Sequence, residues 1–446
     1  MKNFILSLIL LVVAIFVPIM QAVRAAFHSI SRHFRAFAYI GYCHLTAHMG
    51  RSGMILYANT LTNLIPTLYE ALDVVSREMV GFIPAVSRNS SAERAAVNQT
   101  INIPIVPVAT TGNVTPAATP PDDGDQTIGN TTMTISNSKY SPVRWSGEEQ
   151  KAVGASGVYN VVLRDQFAQS MRALVNLVEA DLAALHVYAS RGYGTYNTSP
   201  FLTADDMTDF AAVNQILDDN GAPTFDRQLV LGSAATAAIR GKQSSLFKVN
   251  EAGSSDLLRK GIITEVGGLG IHSSAAVKKT VAIGSSSSSA VDTAAYAIGD
   301  TVITMGSAGT GGVLAGDMVT FAGDTNVYVI ATTDSAVASG TITLQEPGLR
   351  KAIAGSAAPV MTLIAATNRN MAFHRSAIQL ITRAPALPDG GDMADDRMTI
   401  VDPVSGIAFE VSLYKQYRRI KYELALAWGV KAVAPRHIMN LYGPNA

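Results

Sequence analysis

His44 and His48 stand four residues apart, a spacing that lets two imidazoles on one helical face share a metal ion. No third ligand accompanies them, and two imidazoles alone do not complete a site. Asp122, Asp123 and Asp125 suggest calcium, but the EF-hand spacing and its closing glutamate are missing. A solvated acidic loop is the simpler reading. Gly267-Gly268-Leu269-Gly270 is a fragment of a phosphate loop, without the full G-x-G-x-x-G and a following helix. A turn ahead of Ile271 explains it better. Gly-x-Ser-x-Gly does not occur, which removes the nucleophile elbow. His186 and His374 have no acid-and-serine pair beside them and read as core or surface histidines. The single cysteine, Cys43, allows neither an internal disulfide nor a cysteine-based metal site. The expectation is therefore no catalytic, cofactor or metal site.

Two surface patterns remain. Asn89, Asn98, Asn113, Asn130 and Asn197 lie in N-x-S/T sequons, which Asn- and Thr-rich loops also produce by chance. Arg418, Arg419 and Lys421 cluster beside Tyr414, Tyr417 and Tyr422, a pattern that could touch nucleic acid. A contact with another protein chain is the preferred reading.

The chain that must position these residues has 446 residues, enough for two or three structural units. Apolar residues are 48% of it, so it is not disordered. Only 15% are charged, and Lys plus Arg balances Asp plus Glu at 34 each. A neutral chain does not grip nucleic acid by bulk charge, and it lacks the self-repulsion that would keep copies apart.

The amino end differs from the rest. Residues 4 to 18 are almost wholly apolar and follow Lys2, with Val23 and Ala25 placed as at a signal-peptidase site. Residues 1 to 53 contain no acid, and the first is Glu70. A secretory signal, a membrane anchor and translation starting at Met54 compete. The rest of the chain favours Met54.

Beyond Met54, residues 55 to 80 show an apolar helical face interrupted by Pro66. Residues 97 to 108 alternate as an edge-type strand, 109 to 130 form an exposed loop, and Met133 and Ile135 begin a returning strand. The clearest element spans 157 to 189. Leu163, Phe167, Met171, Leu174, Val178, Leu182 and Leu185 make one helical stripe, about 50 Å long, ended by Gly192 and Gly194. Asp205 or Thr203 can cap a helix running to Leu217. Arg227 to Leu231 reads as a strand and 233 to 240 as a helix. Residues 280 to 366 are rich in Ser, Gly and Thr, and Gly299-Asp300 and Gly316-Asp317 each open a strand. That stretch reads as a small all-β barrel or sandwich. Residues 402 to 406 form a turn. Ile407, Phe409, Val411 and Leu413 then bury one face of a strand, and 420 to 433 is a last apolar strand or helix.

Four stretches in this order carry a resemblance. They are IPIVPV (103 to 108), RDQFAQSMRALVNLVEADLAAL (164 to 185), GDMVTFAG (316 to 323) with ITLQEPGL (342 to 349), and LALAWGVKAVAPRHI (424 to 438). The chain from 54 onward resembles the tailed-phage major capsid proteins of the phage P22 coat protein family, an HK97-type fold with an inserted β domain. The resemblance implies an α+β chain with a long spine helix, an extended β-hairpin arm and an inserted barrel-like domain. Its implied divisions are a hydrophobic leader at 1–53, an amino-terminal arm at 54–96, the hairpin loop at 97–148 and the spine helix of a peripheral domain at 149–194. An axial α/β domain follows at 195–277, the inserted β domain at 278–367, and a return to the axial and peripheral domains at 368–446. It also implies a shell of pentamers and hexamers built with a scaffolding protein, a portal protein, packaged double-stranded DNA held by weak non-specific contact, and no membrane partner for the mature chain. The rival readings are an exported, membrane-tethered surface protein with a β domain and, more remotely, a hydrolase.

Overall fold

A computed structural model describes residues 68 and 71 and most of the chain from 81 to 444. Within that last span, residues 106–110, 112, 115, 117–128, 155–158, 243–264, 278–282, 308 and 402–406 are not described. The described residues lie in the second of two units, Thr60–Ala446. The leader, His44, His48, the 55–80 helix apart from Leu68 and Ala71, the acidic triplet at 122–125 and the 402–406 turn therefore lie outside the described residues.

The first elements are α1 (Phe82–Ala85), β1 (Ser87–Ala95), β2 (Thr100–Ile105), β3 (Gly129–Thr134), β4 (Asn137–Ser146), α2 (Gly147–Gly154) and α3 (Tyr159–Ala184). There follow β5 (Arg191–Gly194), α4 (Thr208–Asp219), β6 (Arg227–Leu231), α5 (Ser233–Lys242), β7 (Glu265–Val266) and β8 (Leu269–Ser273). The β-rich stretch holds β9 (Val302–Thr304), β10 (Met318–Phe321), β11 (Val327–Val329), β12 (Thr341–Thr343) and β13 (Met361–Leu363). The chain closes with β14 (Arg369–His374), β15 (Ile378–Pro385), β16 (Asp396–Val401), β17 (Ala408–Gln416), β18 (Arg419–Ala432) and β19 (Ile438–Tyr442).

A six-stranded sheet is organised by β18. Residues 419–428 pair with β4 on one edge. On the other edge β17 pairs with 419–425 and β15 continues along 427–432. The strand period of two sends Tyr422, Leu424, Leu426 and Trp428 to one face, where they join the apolar stripe of α3 in a single core. Phe167 meets Tyr422 edge to face at 5.4 Å. Burying each such side chain contributes about 1.5–3 kcal/mol. Polar bonds fix the register of helix on sheet. The Asp181 carboxylate accepts from Trp428 Nε1 and Asn137 Nδ2, both at 2.8 Å, and Gln166 accepts from Trp145 Nε1 at 2.8 Å.

The opposite face carries the β2–β3 hairpin. Met133 and Ile135 pack with Ala95, Ile381 and Ala427, and the Lys431 ammonium donates to the Thr132 carbonyl at 2.6 Å. Gly429 permits this approach, because a Cβ there would stand 2.2 Å from the Thr134 carbonyl oxygen.

The second sheet has nine strands in the order β13-β10-β11-β5-β19-β14-β6-β8-β7. Its interior strand β6 is buried on both faces. Leu229 and Leu231 pack with Phe210, Val213 and Leu217 of α4 and Ala235 and Ile239 of α5, while Val230 faces the larger core. The β-rich stretch closes on itself. Hydrogen-bonded neighbours run β9, β12, β11, β10, β13, then residues 289–291, and back to the end of β9. Ile303, Val319, Phe321, Tyr328, Ile330 and Ile342 fill the ring. β11 is the branch point, since Val327 and Tyr328 also pair with β5 and make the ring continuous with the nine-stranded sheet. The Gly299-Asp300 and Gly316-Asp317 turns are built alike. Each glycine has positive φ, and each aspartate accepts the N–H three residues before it at 2.7 Å.

Several elements depart from their sequence expectations. The long helix ends at Ala184, giving about 39 Å rather than 50 Å. A 3₁₀ turn, Leu185–Tyr188, follows, and Gly192 and Gly194 lie in β5 instead of ending the helix. In β5, Gly192 pairs with Val327 and Asn440, and its missing side chain leaves room for Met318 and Val327 of the ring. Helix α4 starts at Thr208 after Met207, which makes no side-chain cap; the Asp206 carboxylate, one residue earlier, bonds the Thr208 N–H at 2.9 Å, so neither Asp205 nor Thr203 occupies the cap position. Strand β17 is buried on both faces, not one, because Arg94 and Arg397 cover Glu410 at 2.7 and 2.6 Å. Residues 419–432 form a strand, and Pro435 opens a 3₁₀ turn leading into β19.

Candidate functional site

Among the described residues no group of three or more His, Cys, Asp or Glu side chains could hold a metal ion. Gly267 and Gly268, both at positive φ, make the two-residue turn between β7 and β8 that brings Ile271 into the sheet. His186 is buried with Nδ1 3.0 Å from the Ala183 carbonyl oxygen. His374 is buried, bonds Ser376 Oγ at 2.8 Å and meets Phe225 edge to face at 5.4 Å. Of the sequons, Asn89 lies in β1, where its side-chain oxygen accepts from Arg383 at 2.9 Å. Asn98 and Asn197 occupy positive-φ positions, and Asn130 is exposed on β3.

The basic cluster is brought together, though not in the arrangement the sequence suggests. Tyr417 and Arg418 form the turn between β17 and β18, with the Arg418 guanidinium 5.6 Å from the Tyr417 ring centre. Tyr422 points the other way, into the core against Phe167, and burial drives its phenol upward. The odd-numbered residues Arg419, Lys421 and Glu423 share the outer face with Tyr140, Pro142 and Arg144 of β4 and Tyr414 of β17. Lys421 Nζ sits 5.0 Å from the Tyr140 ring and 5.3 Å from the Tyr414 ring, and it is ion-paired with Glu423. Burial raises the Tyr414 phenol, as does the bond it donates to Asp392 at 2.8 Å.

Tyr140 and Arg144 are the members that sequence reading missed. They stand more than 270 residues before their cross-strand neighbours. One local signal did exist. Ser146 and Glu149 form a capping box that ends β4 and starts α2, with Glu149 accepting the Ser146 N–H at 2.7 Å and Ser146 Oγ accepting the Glu149 N–H at 3.2 Å. Beside this face, between β4 and α3, runs a shallow groove of about 480 Å³ lined by Pro142, Val143, Arg144, Asp165, Gln166 and Gln169 among others.

No family model matches the chain, and no curated protein matches its sequence. Among solved structures, the chain is similar to the capsid of the cyanophage P-SCSP1u, at 11% identity over 81% of this chain and 87% of that one, TM-score 0.42. It is similar to the mature capsid of bacteriophage PhiM1, at 10% identity over 81% and 86%, TM-score 0.39. It is also similar to the virus-like particle from Pyrococcus furiosus, at 7% identity over 85% and 99%, TM-score 0.39. These are partial likenesses of fold.

Proposed function

We propose that the chain is the major capsid (coat) protein of a tailed phage, a structural subunit and not an enzyme. In this reading it assembles in the host cytoplasm, with a scaffolding protein, into an icosahedral shell of pentamers and hexamers. The shell takes in double-stranded DNA through a portal. The long helix is the spine of a peripheral domain, β2–β3 the root of an extended arm, and residues 278–367 an inserted β domain.

The observation that carries the reading is how α3 and the hairpin flank one sheet. A 26-residue helix packs along one face, and the hairpin is rooted on the other by Gly429 and the Met133–Ile135 contacts. This suits a tile that must hold one shape in many copies, and the sequence resemblance from 54 onward supports it. The test is negative-stain microscopy of the protein expressed with its neighbouring genes. Uniform closed shells are expected, and soluble monomer alone under those conditions overturns the reading.

The apolar run at residues 4 to 18 favours a second reading, an exported and membrane-tethered surface protein. The intact mass of the mature chain separates the two. Cleavage after Ala25 supports export, and a chain beginning at Met54 supports the shell subunit.

A further inference from the structure

We propose that the corner of the six-stranded sheet built by Arg144, Arg418 and Arg419 is where this chain contacts the phosphate backbone of nucleic acid. The proposal rests on the shell reading, since it names the surface that the enclosed DNA would meet.

The charges on the sheet's outer face are unevenly paired. Lys421 lies directly opposite Arg144 in the β4–β18 register, and like charges so placed destabilise a strand pair unless each finds a counter-charge. Lys421 has one in Glu423, and its ammonium also lies over two tyrosine rings. Arg144 has none. Of the other acids of this corner, Glu148 in the first turn of α2 is exposed, and three are engaged. Glu149 caps α2 through Ser146 and feels the Arg419 charge without forming an ion pair with it, Asp165 pairs with Arg164 at 3.0 Å, and Asp395 lies 3.9 Å from Lys415. Arg144, Arg418 and Arg419 are all exposed and make no ion pair among the described residues. Arg144 and Arg419 are diagonal neighbours on one face, about 7–8 Å apart at the backbone.

The side-chain chemistry selects phosphate. All three unpaired cations are arginines, whose planar fork matches phosphate oxygens in pairs and is less strongly hydrated than an ammonium. Tyr140 and Tyr417 stand beside them, 58% and 87% exposed, and offer hydroxyls and ring faces to sugar and base. The chain is neutral overall, so such contact is local and strongly salt-dependent instead of a bulk attraction.

The test measures binding of the full chain to a fluorescent mixed-sequence duplex DNA by anisotropy across a salt series. Three neutralised phosphates give a slope of log K against log salt of about −2.7. The double variant Arg144→Ser with Arg419→Ser should bind roughly tenfold more weakly at low salt and flatten the slope by about two. A control, Arg240→Ser with Lys242→Ser, removes the same charge from exposed positions at the end of α5 and should bind as wild type. Equal weakening of both variants overturns the proposal, because bulk charge then explains it. No DNA binding by wild type at low salt overturns it as well. A sheet variant that binds DNA normally but no longer associates with other copies makes this corner a contact between subunits and also overturns it. Every variant is imaged for shells in parallel. Failure of wild type to form shells counts against the shell reading alone, and the DNA result is scored separately.

Discussion

The Glu179 carboxylate, late in α3, accepts the backbone N–H groups of Phe82 and Ile83 at 3.0 and 2.8 Å. It also accepts the Ser274 hydroxyl at 2.7 Å. A charged residue inside the buried arc of a helix thus caps the short α1 segment and ties it to the loop after β8. Gly81 leaves the room, since a Cβ there would stand 2.3 Å from the Glu179 carboxylate. Glu179→Ala strands two buried backbone donors and removes the Ser274 hydroxyl's acceptor, and should cost about 2–5 kcal/mol. Glu179→Gln keeps an acceptor and should cost less. Urea midpoints of the unassembled chain check both, and equal losses would mean that acceptor geometry is not what matters.

Leu174 is 2% exposed, at the centre of the α3 stripe. Leu174→Ala should cost about 2–5 kcal/mol through the cavity it leaves. Leu174→Asp should be worse, because it buries a charge without a partner. Asn176, exposed on the same helix, should tolerate Ala within about 0.5 kcal/mol. Sedimentation of particles assembled with the scaffolding protein reads the consequence, and normal shells from Leu174→Asp would remove the helix from the core.

Gly429→Ala should lift the β2–β3 hairpin off the sheet, because the new methyl meets the backbone oxygen of Thr134 and not a movable side chain. Hydrogen exchange across Gly129–Thr134 should accelerate while that of β17 stays slow. Unchanged protection of β3 would mean that the backbone yields without separating.

Burial disfavours the charged forms of His272, His374 and His437, and nearby arginines add to it. Asp226 opposes the effect at His374 without reversing it. All three are held below the ordinary 6.5 in the folded chain. As pH falls through about 6.5 the unfolded chain takes up protons first. Stability should therefore decline from there down to the depressed folded values, and above that window these histidines should contribute no pH dependence. The urea midpoint should fall between about pH 7.5 and 5.5, and His374→Gln should flatten the fall. A midpoint that rises on acidification would contradict this.

Residues 278–367 should fold when excised. Their ring of strands carries its own apolar filling, and a unit of this size is marginally stable without staples. The excised piece exposes the β11 edge that β5 covers. A dispersed amide NMR spectrum is the expected outcome, and a collapsed one would show that β5 completes the fold.

What the sequence alone determined is local and periodic. The α3 stripe, the β6 strand, the α5 helix and the Gly-Asp turns follow from spacings of three, four and two and from glycine's access to positive φ, all readable within a few residues. The cluster at Arg418, Arg419 and Lys421 was visible for the same reason. Only tertiary structure decided which of its neighbours share its face. A strand's alternation says that Tyr422 and Lys421 part company, but not which one meets the core. The partners Tyr140 and Arg144 come from a register between strands far apart in the chain. Glu179 is the sharpest instance. A carboxylate on a long helix reads as a solvated residue, because burying a charge is costly. It becomes favourable only where distant backbone N–H groups arrive to bond it, and nothing in its own neighbourhood announces them.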